Sequence, residues 1–300
     1  ETSADTTPAV QEFNVAIVQQ LDHASLDEIR TAIVAQLQKL AEGKGVKVNI
    51  QEFNGQNDAT VLNQIGAKVV SDGYDAILPI ATLAATCMTT ATEDTDIPVI
   101  YAAISDPESS GLTGIENVTG TSDALNTAFI LDMMLAANPD IKTVGLLYCS
   151  AEANSQYQVD EMTKYLTELG LTATAFAFTD TNDVASVAQA ACDASDVLYI
   201  PTDNTAASNT EAIANVVLPA KVPVIAGEAG ICEGCGIATL SISYYDLGVA
   251  TGKMAAKILT GEADISQMPV EYAPQVTKMY NAANCEALGV TIPDGYEPMG

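Results

Sequence analysis

The sequence predicts an α/β protein of two lobes, each built on a doubly wound parallel sheet. Short apolar runs alternate with helix-like segments across short polar links, which is typical of parallel sheets covered by helices. An internal repeat supports two lobes: Pro79–Thr86 and Pro201–Ser208 each follow an apolar run and lead into a small, hydroxyl-rich helix start. A strand with proline at its second position follows each copy, at 97–100 and 222–225. Two copies of one strand–loop–helix–strand plan predict two similar lobes.

The elements of the first lobe follow from hydrophobic periodicity. Ser25 is followed three residues later by Glu28, a capping-box pattern that predicts Ser25 as the cap of the first helix. Gly111–Thr121 lacks any period, so we interpret it as the crossover out of this lobe. In chain order, we expect strand Phe13–Val18, a helix from Ser25 to Gly43, strand Val46–Ile50, helix Ala59–Val70 and a strand ending at Pro79.

A helix that ends at an Asn-Pro pair leads to the strand at Thr143, with which the second lobe opens. The helix that begins near Ser241 could return to pack on the first lobe, and segments 269–272 and 275–280 are either strands or connectors. The tail Val290–Asp294 ends in turn residues. In chain order, we expect helix Leu125–Ala137, strand Thr143–Tyr148, helix Tyr157–Leu169, strands 195–200, Val222–Ala226 and Ile237–Leu240, and a helix to Leu259.

Composition limits the classes of function. A chain of 300 residues with 48% apolar residues can bury two cores, and its apolar runs are shorter than the roughly 20 residues of a membrane helix. The net charge of −28 is spread along the chain. Such a surface repels phosphate backbones, so we expect no nucleic-acid partner.

Cysteine and histidine positions argue against a metal site. The six cysteines are too sparse for a disulfide scaffold. Cys232 and Cys235 have the spacing of a metal or redox pair, but no second pair follows, and His23 is the single histidine. We therefore expect no metal, and leave a local disulfide and free thiols as alternatives for this pair.

Signature motifs of hydrolases, nucleotide-binding loops and zinc proteases are absent from the sequence. With His23 beside a helix start, a surface or packing role is expected for this residue rather than catalysis. These absences disfavour a hydrolase and predict no cofactor.

Polar loops at the carboxyl ends of predicted strands are the candidate binding site. Thr82, Thr86 and the amides of Leu83 and Ala84 lie at a helix start, where unpaired N–H groups and the helix dipole favour a carboxylate. Ordinary capping by Thr82 is the alternative.

The matching loop of the second lobe carries Asp203 and Asn204. An acid across a cleft from an anion site would bind an ammonium group, so together the two loops would recognise an amino-acid zwitterion. Asn154 and Ser155, at another helix start, could add contacts to the carboxylate. For all of these residues, helix capping is the alternative role.

These residues carry a resemblance to a known family. The segments Ala81–Thr86, Asn117–Asp123, Glu152–Ser155, Pro201–Thr205, Ala226–Glu228 and Ser243–Gly248 occur in a characteristic order. From about Phe13 to Pro293, the chain resembles ABC-transporter substrate-binding proteins of the tryptophan-binding type, which have the type I periplasmic-binding-protein fold. Leu83 stands where the family pattern has proline, and Thr86-Cys87 also departs from it.

The resemblance implies two lobes that close on one amino acid, often aromatic, about three hinge crossings. The crossings would lie near Asn117–Asp123, Leu240–Tyr244 and Gln275–Tyr280. We therefore expect a tether at residues 1–11, a first lobe of residues 12–119 with 246–274, and a second lobe of residues 120–245 with 275–300.

An aromatic side chain needs an apolar and partly aromatic slot, and a branched aliphatic ligand remains an alternative. Candidates for the slot are Tyr101, Tyr148, Tyr157 and Tyr244. The full set of expected ligand-binding residues is Gln20, Thr82, Leu83, Ala84, Thr86, Tyr101, Asn154, Ser155, Asp203, Asn204, Glu228 and Tyr244.

The function implied is an extracytoplasmic, non-enzymatic binding protein, periplasmic or a cell-surface lipoprotein, that delivers its amino acid to an ABC permease. We expect a monomer that meets the membrane only through a lipid anchor removed from its N terminus, and the Thr/Pro-rich start fits such a tether. Two alternatives stay open. One is a cofactor-independent racemase-like enzyme that uses Cys87 and Cys149, and the other is a receptor-coupled sensor of the same fold.

Overall fold

The computed structural model describes residues 10–273, 275–292 and 294–299. Residues 1–9 of the expected tether and Pro293 of the expected tail lie outside these ranges. The strands, in chain order, are β1 (Glu12–Gln19), β2 (Lys47–Asn54), β3 (Ala76–Ile80), β4 (Val99–Tyr101), β5 (Val118–Ser122), β6 (Thr143–Cys149), β7 (Thr172–Phe178), β8 (Val197–Ile200), β9 (Val224–Ala226), β10 (Ala238–Ser241), β11 (Glu271–Tyr272), β12 (Thr277–Tyr280) and β13 (Glu297–Pro298).

Helices alternate with these strands along the chain. A single 3₁₀ turn, Ile265–Gln267, precedes β11. The α-helices are α1 (Ala24–Lys44), α2 (Ala59–Ser71), α3 (Thr82–Ala91), α4 (Thr127–Ala137), α5 (Ala153–Glu168), α6 (Val184–Ala194), α7 (Asn204–Ala207), α8 (Thr210–Ala220), α9 (Ala229–Gly234), α10 (Tyr244–Leu259) and α11 (Ala282–Leu288).

The first sheet has the strand order β11-β5-β4-β3-β1-β2, and each of its paired strands runs parallel. Its central strand β3 is buried along its whole length, as expected for a sheet with helices on both faces. Apolar side chains on the two faces form two clusters, one around Ile29 and Leu78 and the other around Leu62 and Met88.

The second sheet repeats this plan, with the order β13-β12-β10-β9-β8-β6-β7. Its first strand β6 lies between β7 and β8, just as β1 lies between β2 and β3. Only the pairing of β12 with β10 is antiparallel among the described strands. Because both sheets reverse their strand order beside the first strand, both are doubly wound, and the predicted fold class is confirmed.

The chain passes between the sheets after β5, after β10 and between β11 and β12. After the second passage, α10 packs along α1 of the first lobe. The sequence analysis had allowed for such a return of this helix to the first lobe. Two glycines permit the close approach: a Cβ on Gly248 would lie 2.4 Å from the carbonyl oxygen of Ile29, and one on Gly252 would lie 2.6 Å from the Cβ of Gln36. The expected lobe boundary at residue 119 falls within β5. The division of the chain into lobes remains a prediction.

Several local predictions were wrong. His23, not Ser25, is the N-cap residue of α1, and the Ser25 hydroxyl donates instead to Glu228, which precedes α9 in the other lobe. The segment interpreted as an aperiodic crossover ends in β5, and α5 begins at Ala153 rather than at Tyr157. None of the described helices is long and apolar enough to cross a membrane.

Candidate ligand-binding site

A cavity lies between the carboxyl ends of the two sheets, where the strand order of each reverses. Such reversal points are where open α/β sheets bind ligands. Six of the expected ligand-binding residues line this cavity. They are Thr82, Asn154, Asp203, Asn204, Glu228 and Tyr244.

The wall from the first lobe is the start of α3. Ala81, just before the helix, has φ +74°, a left-handed conformation that costs a non-glycine residue of order 1–3 kcal/mol. It is followed by Thr82, which is 4% exposed and faces the cavity. The amide of Leu83 donates to Oε1 of Gln20 at 3.0 Å, so that amide has a partner within the chain.

The wall from the second lobe is organised by two buried carboxyl groups. Asp203 is the N-cap of α7, and its two oxygens accept the backbone N–H groups of Ala206 at 2.8 Å and Cys149 at 2.6 Å. Glu152 accepts the N–H groups of Asn204 at 3.0 Å and Thr205 at 2.7 Å. The amides at the start of α7 are therefore already occupied by carboxylates of the protein.

The burial of Asp203 beside Glu152 changes the titration of Asp203. Burial, and then the negative charge of Glu152, raise the pKa of Asp203 above its ordinary value. The capping role that the sequence left open for Asp203 is what the structure contains.

Asp123, at the end of β5, lies between the two walls and was not among the expected ligand-binding residues. It is 5% exposed, and within the described chain its Oδ1 has no hydrogen-bond partner. Burial raises the pKa of Asp123 to about 6, while Ser105 and Tyr244 beside it oppose that shift by hydrogen bonding. Neither lysine nor arginine is among the described residues that line the cavity, so this carboxylate has no cationic partner there.

Contacts across the cleft hold the two lobes together around the cavity. Nε2 of His23 lies 3.1 Å from Oδ1 of Asn204. Nδ2 of Asn57 donates to Oγ1 of Thr205 at 3.0 Å, and the hydroxyls of Ser105 and Thr202 lie 3.0 Å apart. With the bond from Ser25 to Glu228, these contacts describe a closed cleft.

The other six expected residues are not among those that line the cavity. Oγ1 of Thr86 donates to the carbonyl of Leu83 within α3, Ser155 is fully buried beside Asp203, and Tyr101 is fully buried within the first sheet. Gln20 is also fully buried and bonds Asn57 as well as Leu83. Leu83 and Ala84 complete this set.

Sequence reasoning missed four polar residues of the cavity: His23, Ser105, Asp123 and Thr202. Each comes within a few residues after the end of a strand, and Asp123 closes a segment that carries the family resemblance. The available signal was the position of these residues just after strand ends. For Asp123, that signal required β5 to be recognised as a strand.

The cysteines lie outside this site. All six are buried free thiols, and none lines the cavity. Burial raises the pKa of Cys149 to about 11 and that of Cys87 above its ordinary value. No group of three or more potential metal ligands occurs among the described residues.

Comparison with known proteins gives this architecture a family. Residues 14–296 match the family model described as ABC transporter substrate binding protein. A tyrosine-binding protein of Clostridioides difficile is 30% identical over 287 residues, which cover 94% of this chain and 82% of the relative.

Two solved structures bear on conformation. An ABC domain from Streptococcus pneumoniae in complex with L-Trp is 33% identical, with coverage of 95% and 99% and a TM-score of 0.87. The ligand-free, open structure of a substrate-binding protein with adhesive properties from Clostridium difficile is 34% identical, with coverage of 96% and 99% and a TM-score of 0.71. At nearly equal identity, the chain superposes better on the ligand-bound structure, in agreement with its closed cleft. By its matched length and its two-sheet fold, the chain belongs to the ABC transporter substrate-binding protein family.

Proposed function

We propose that this protein binds one free aromatic amino acid between its lobes and delivers it to an ABC permease. The observation that carries the proposal is the unpaired Oδ1 of Asp123, buried in a closed cavity lined by neither lysine nor arginine among the described residues. A buried carboxylate without a counter-ion is costly, and an ammonium group is its natural partner. The aromatic class is supported by the relatives that bind tyrosine and L-Trp.

We assign the ammonium group of the ligand to Asp123 rather than to Asp203. Both oxygens of Asp203 already accept backbone N–H groups, so this carboxyl positions α7. Asn154 donates to the carbonyl of Thr202 at 2.8 Å and fixes the loop before α7 in the same way.

The ligand carboxylate is assigned to the start of α3. The Leu83 amide of this turn is already taken by Gln20, but the helix dipole favours negative charge there. Thr82 offers its hydroxyl at the same place. The two ends of the zwitterion would then contact opposite sides of one cavity.

Turnover of the ligand is not part of the proposal. The racemase-like alternative needs two reactive thiols that face the ligand, whereas Cys87 and Cys149 are buried with raised pKa values.

Members of this family act outside the cytoplasm, and we propose that a lipid anchor tethers the protein to the cell surface as a monomer.

The test is a thermal melt of ligand-stripped protein against each common amino acid, followed by calorimetry. We expect a raised Tm and one-to-one binding with tyrosine, phenylalanine or tryptophan. Folded protein whose Tm is unchanged by every amino acid would reject the zwitterion site. Loss of the Cα deuterium of a labelled, bound amino acid would instead reveal an enzyme.

A further inference from the structure

The cavity between the lobes offers an aromatic ring few partners. Nine of the side chains that line it are polar, and the apolar ones are Leu26, Ala103, Ala207 and the ring of Tyr244. Aromatic rings gain most from other rings and from apolar surfaces. The site therefore accounts for a zwitterion better than for a large side chain.

A second cavity adjoins the first and shares Ser105 and Asp123 with it. Its apolar lining includes the rings of Tyr157 and Tyr199 together with Met162. Rings favour offset or edge contacts with an aromatic ligand, and a thioether sulfur also contacts rings favourably.

Asp123 joins the two cavities. This residue lines both, and its Oδ1 has no hydrogen-bond partner in the described chain. In an amino acid, the ammonium group and the side chain are attached to the same carbon. A ligand whose ammonium lies on Asp123 can therefore direct its carboxylate into one cavity and its side chain into the other.

A small polar network separates the cavities. Nε2 of Gln158 donates to Oγ1 of Thr202 at 2.5 Å and to Oγ of Ser105 at 3.3 Å. Ser105 follows β4 of the first sheet, whereas Thr202 and Gln158 belong to the second, so this boundary forms when the lobes meet.

We propose that the second cavity receives the side chain of the amino-acid ligand, with Asp123 at the junction. Its lining, and Gln158 at its boundary, then determine which side chains the protein accepts. This inference rests on the proposed function, because it assumes an amino-acid ligand in the first cavity.

The experiment measures, by calorimetry, the affinities of wild type and variants for phenylalanine, tyrosine and tryptophan. Ala124 is an exposed residue that lines the second cavity, so Ala124→Trp fills that space without replacing a core residue. We expect its Kd for tryptophan to rise by about tenfold or more, and by more than its Kd for phenylalanine. Tyr157→Ala, which enlarges the cavity, is expected to shift the preference toward tryptophan.

A matched control adds the same bulk elsewhere. Thr113 is exposed and lines a separate groove beside the 3₁₀ turn of the first lobe, so Thr113→Trp should bind as wild type does. Equal weakening for all three ligands in Ala124→Trp would indicate impaired closure and would overturn the inference, as would unchanged ligand preference in both cavity variants. Wild type that binds no amino acid would reject the proposed function itself, and this inference with it.

Discussion

Asp123 combines near-complete burial with one oxygen, Oδ1, that has no hydrogen-bond partner among the described residues. That oxygen loses hydration without gaining a partner, so the site gains interaction energy when an ammonium group enters. Most other buried acids of the cleft lack this property. Glu228, for example, accepts the N–H groups of Gly230 and Ile231 and the hydroxyl of Ser25.

The first prediction is that Asp123→Asn weakens ligand binding about 10- to 100-fold, since a hydrogen bond to a charged group contributes about 1.5–3 kcal/mol. Calorimetry with the best amino acid measures the change. Asp94→Asn, a neutralised acid in an exposed turn, is the matched control and should bind normally. An Asp123→Asn variant with full affinity would move the ammonium site elsewhere.

The second prediction concerns pH. With the pKa of Asp123 raised to about 6, the carboxyl becomes protonated as pH falls through that value, and it then no longer attracts an ammonium group, which stays charged over this range. Affinity is therefore expected to be nearly constant from pH 7 to 8 and to decline below about pH 6. In Asp123→Asn the decline should be absent, and a persistent decline would assign it to another group.

Residue-level prediction from the sequence brought to the cavity side chains that follow a recognised strand, such as Thr82 and Asp203. It did not bring Asp123 there because the glycine- and threonine-rich segment before this residue has no apolar period, although it forms β5. The partners of a side chain are harder to predict than its position: Asp203 was the more conspicuous acid, and its oxygens accept backbone amides that no sequence pattern specifies.

At the level of elements, the strand–helix alternation was sufficient to predict the doubly wound sheets, because buried parallel strands are continuous apolar runs. Local rules failed where a tertiary contact replaced a local one. Ser25 has the spacing of a capping box, yet its hydroxyl bonds Glu228 across the cleft. A capping pattern describes one helix alone and cannot represent a competing acceptor from a distant part of the chain.

The third prediction tests the packing of α1 on α10. A glycine-to-alanine change within a helix ordinarily stabilises it by about 0.5–1 kcal/mol, but a Cβ on Gly248 would lie 2.4 Å from the carbonyl of Ile29. We expect Gly248→Ala to destabilise the protein by about 1–3 kcal/mol instead, as measured by urea unfolding. Gly43→Ala, in α1 with nothing within 4 Å of the added carbon, should be neutral or stabilising. The same sign for both variants would contradict the close packing.

At the level of the whole molecule, the repeat of strand order gives two crevices at the carboxyl ends of two sheets. The sequence revealed the repeat, because Pro79–Thr86 and Pro201–Ser208 keep the same local plan. It did not reveal how the crevices meet, since the hydrogen bonds across the cleft join polar residues in loops and at helix starts, and such residues have no periodicity.

The fourth prediction follows from those contacts. Ser25 does not line the cavity, yet its bond to Glu228 exists only when the lobes meet, so Ser25→Ala should destabilise the closed state without touching the ligand. A net hydrogen-bond contribution of about 0.5–1.5 kcal/mol corresponds to an affinity loss of about 2- to 10-fold. The loss should appear mainly in the dissociation rate, because opening limits release.

Stopped-flow fluorescence can measure this rate directly, since the chain contains no tryptophan and bound tryptophan would report on itself. Ser186→Ala is the control, because its hydroxyl donates at 2.9 Å to Asp183, on the same lobe, and its removal should leave the rate unchanged. If Ser25→Ala slowed association and left dissociation unchanged, Ser25 would act in capture of the ligand by the open form. Faster dissociation with unchanged association would instead identify the Ser25–Glu228 bond as part of what keeps the cleft closed.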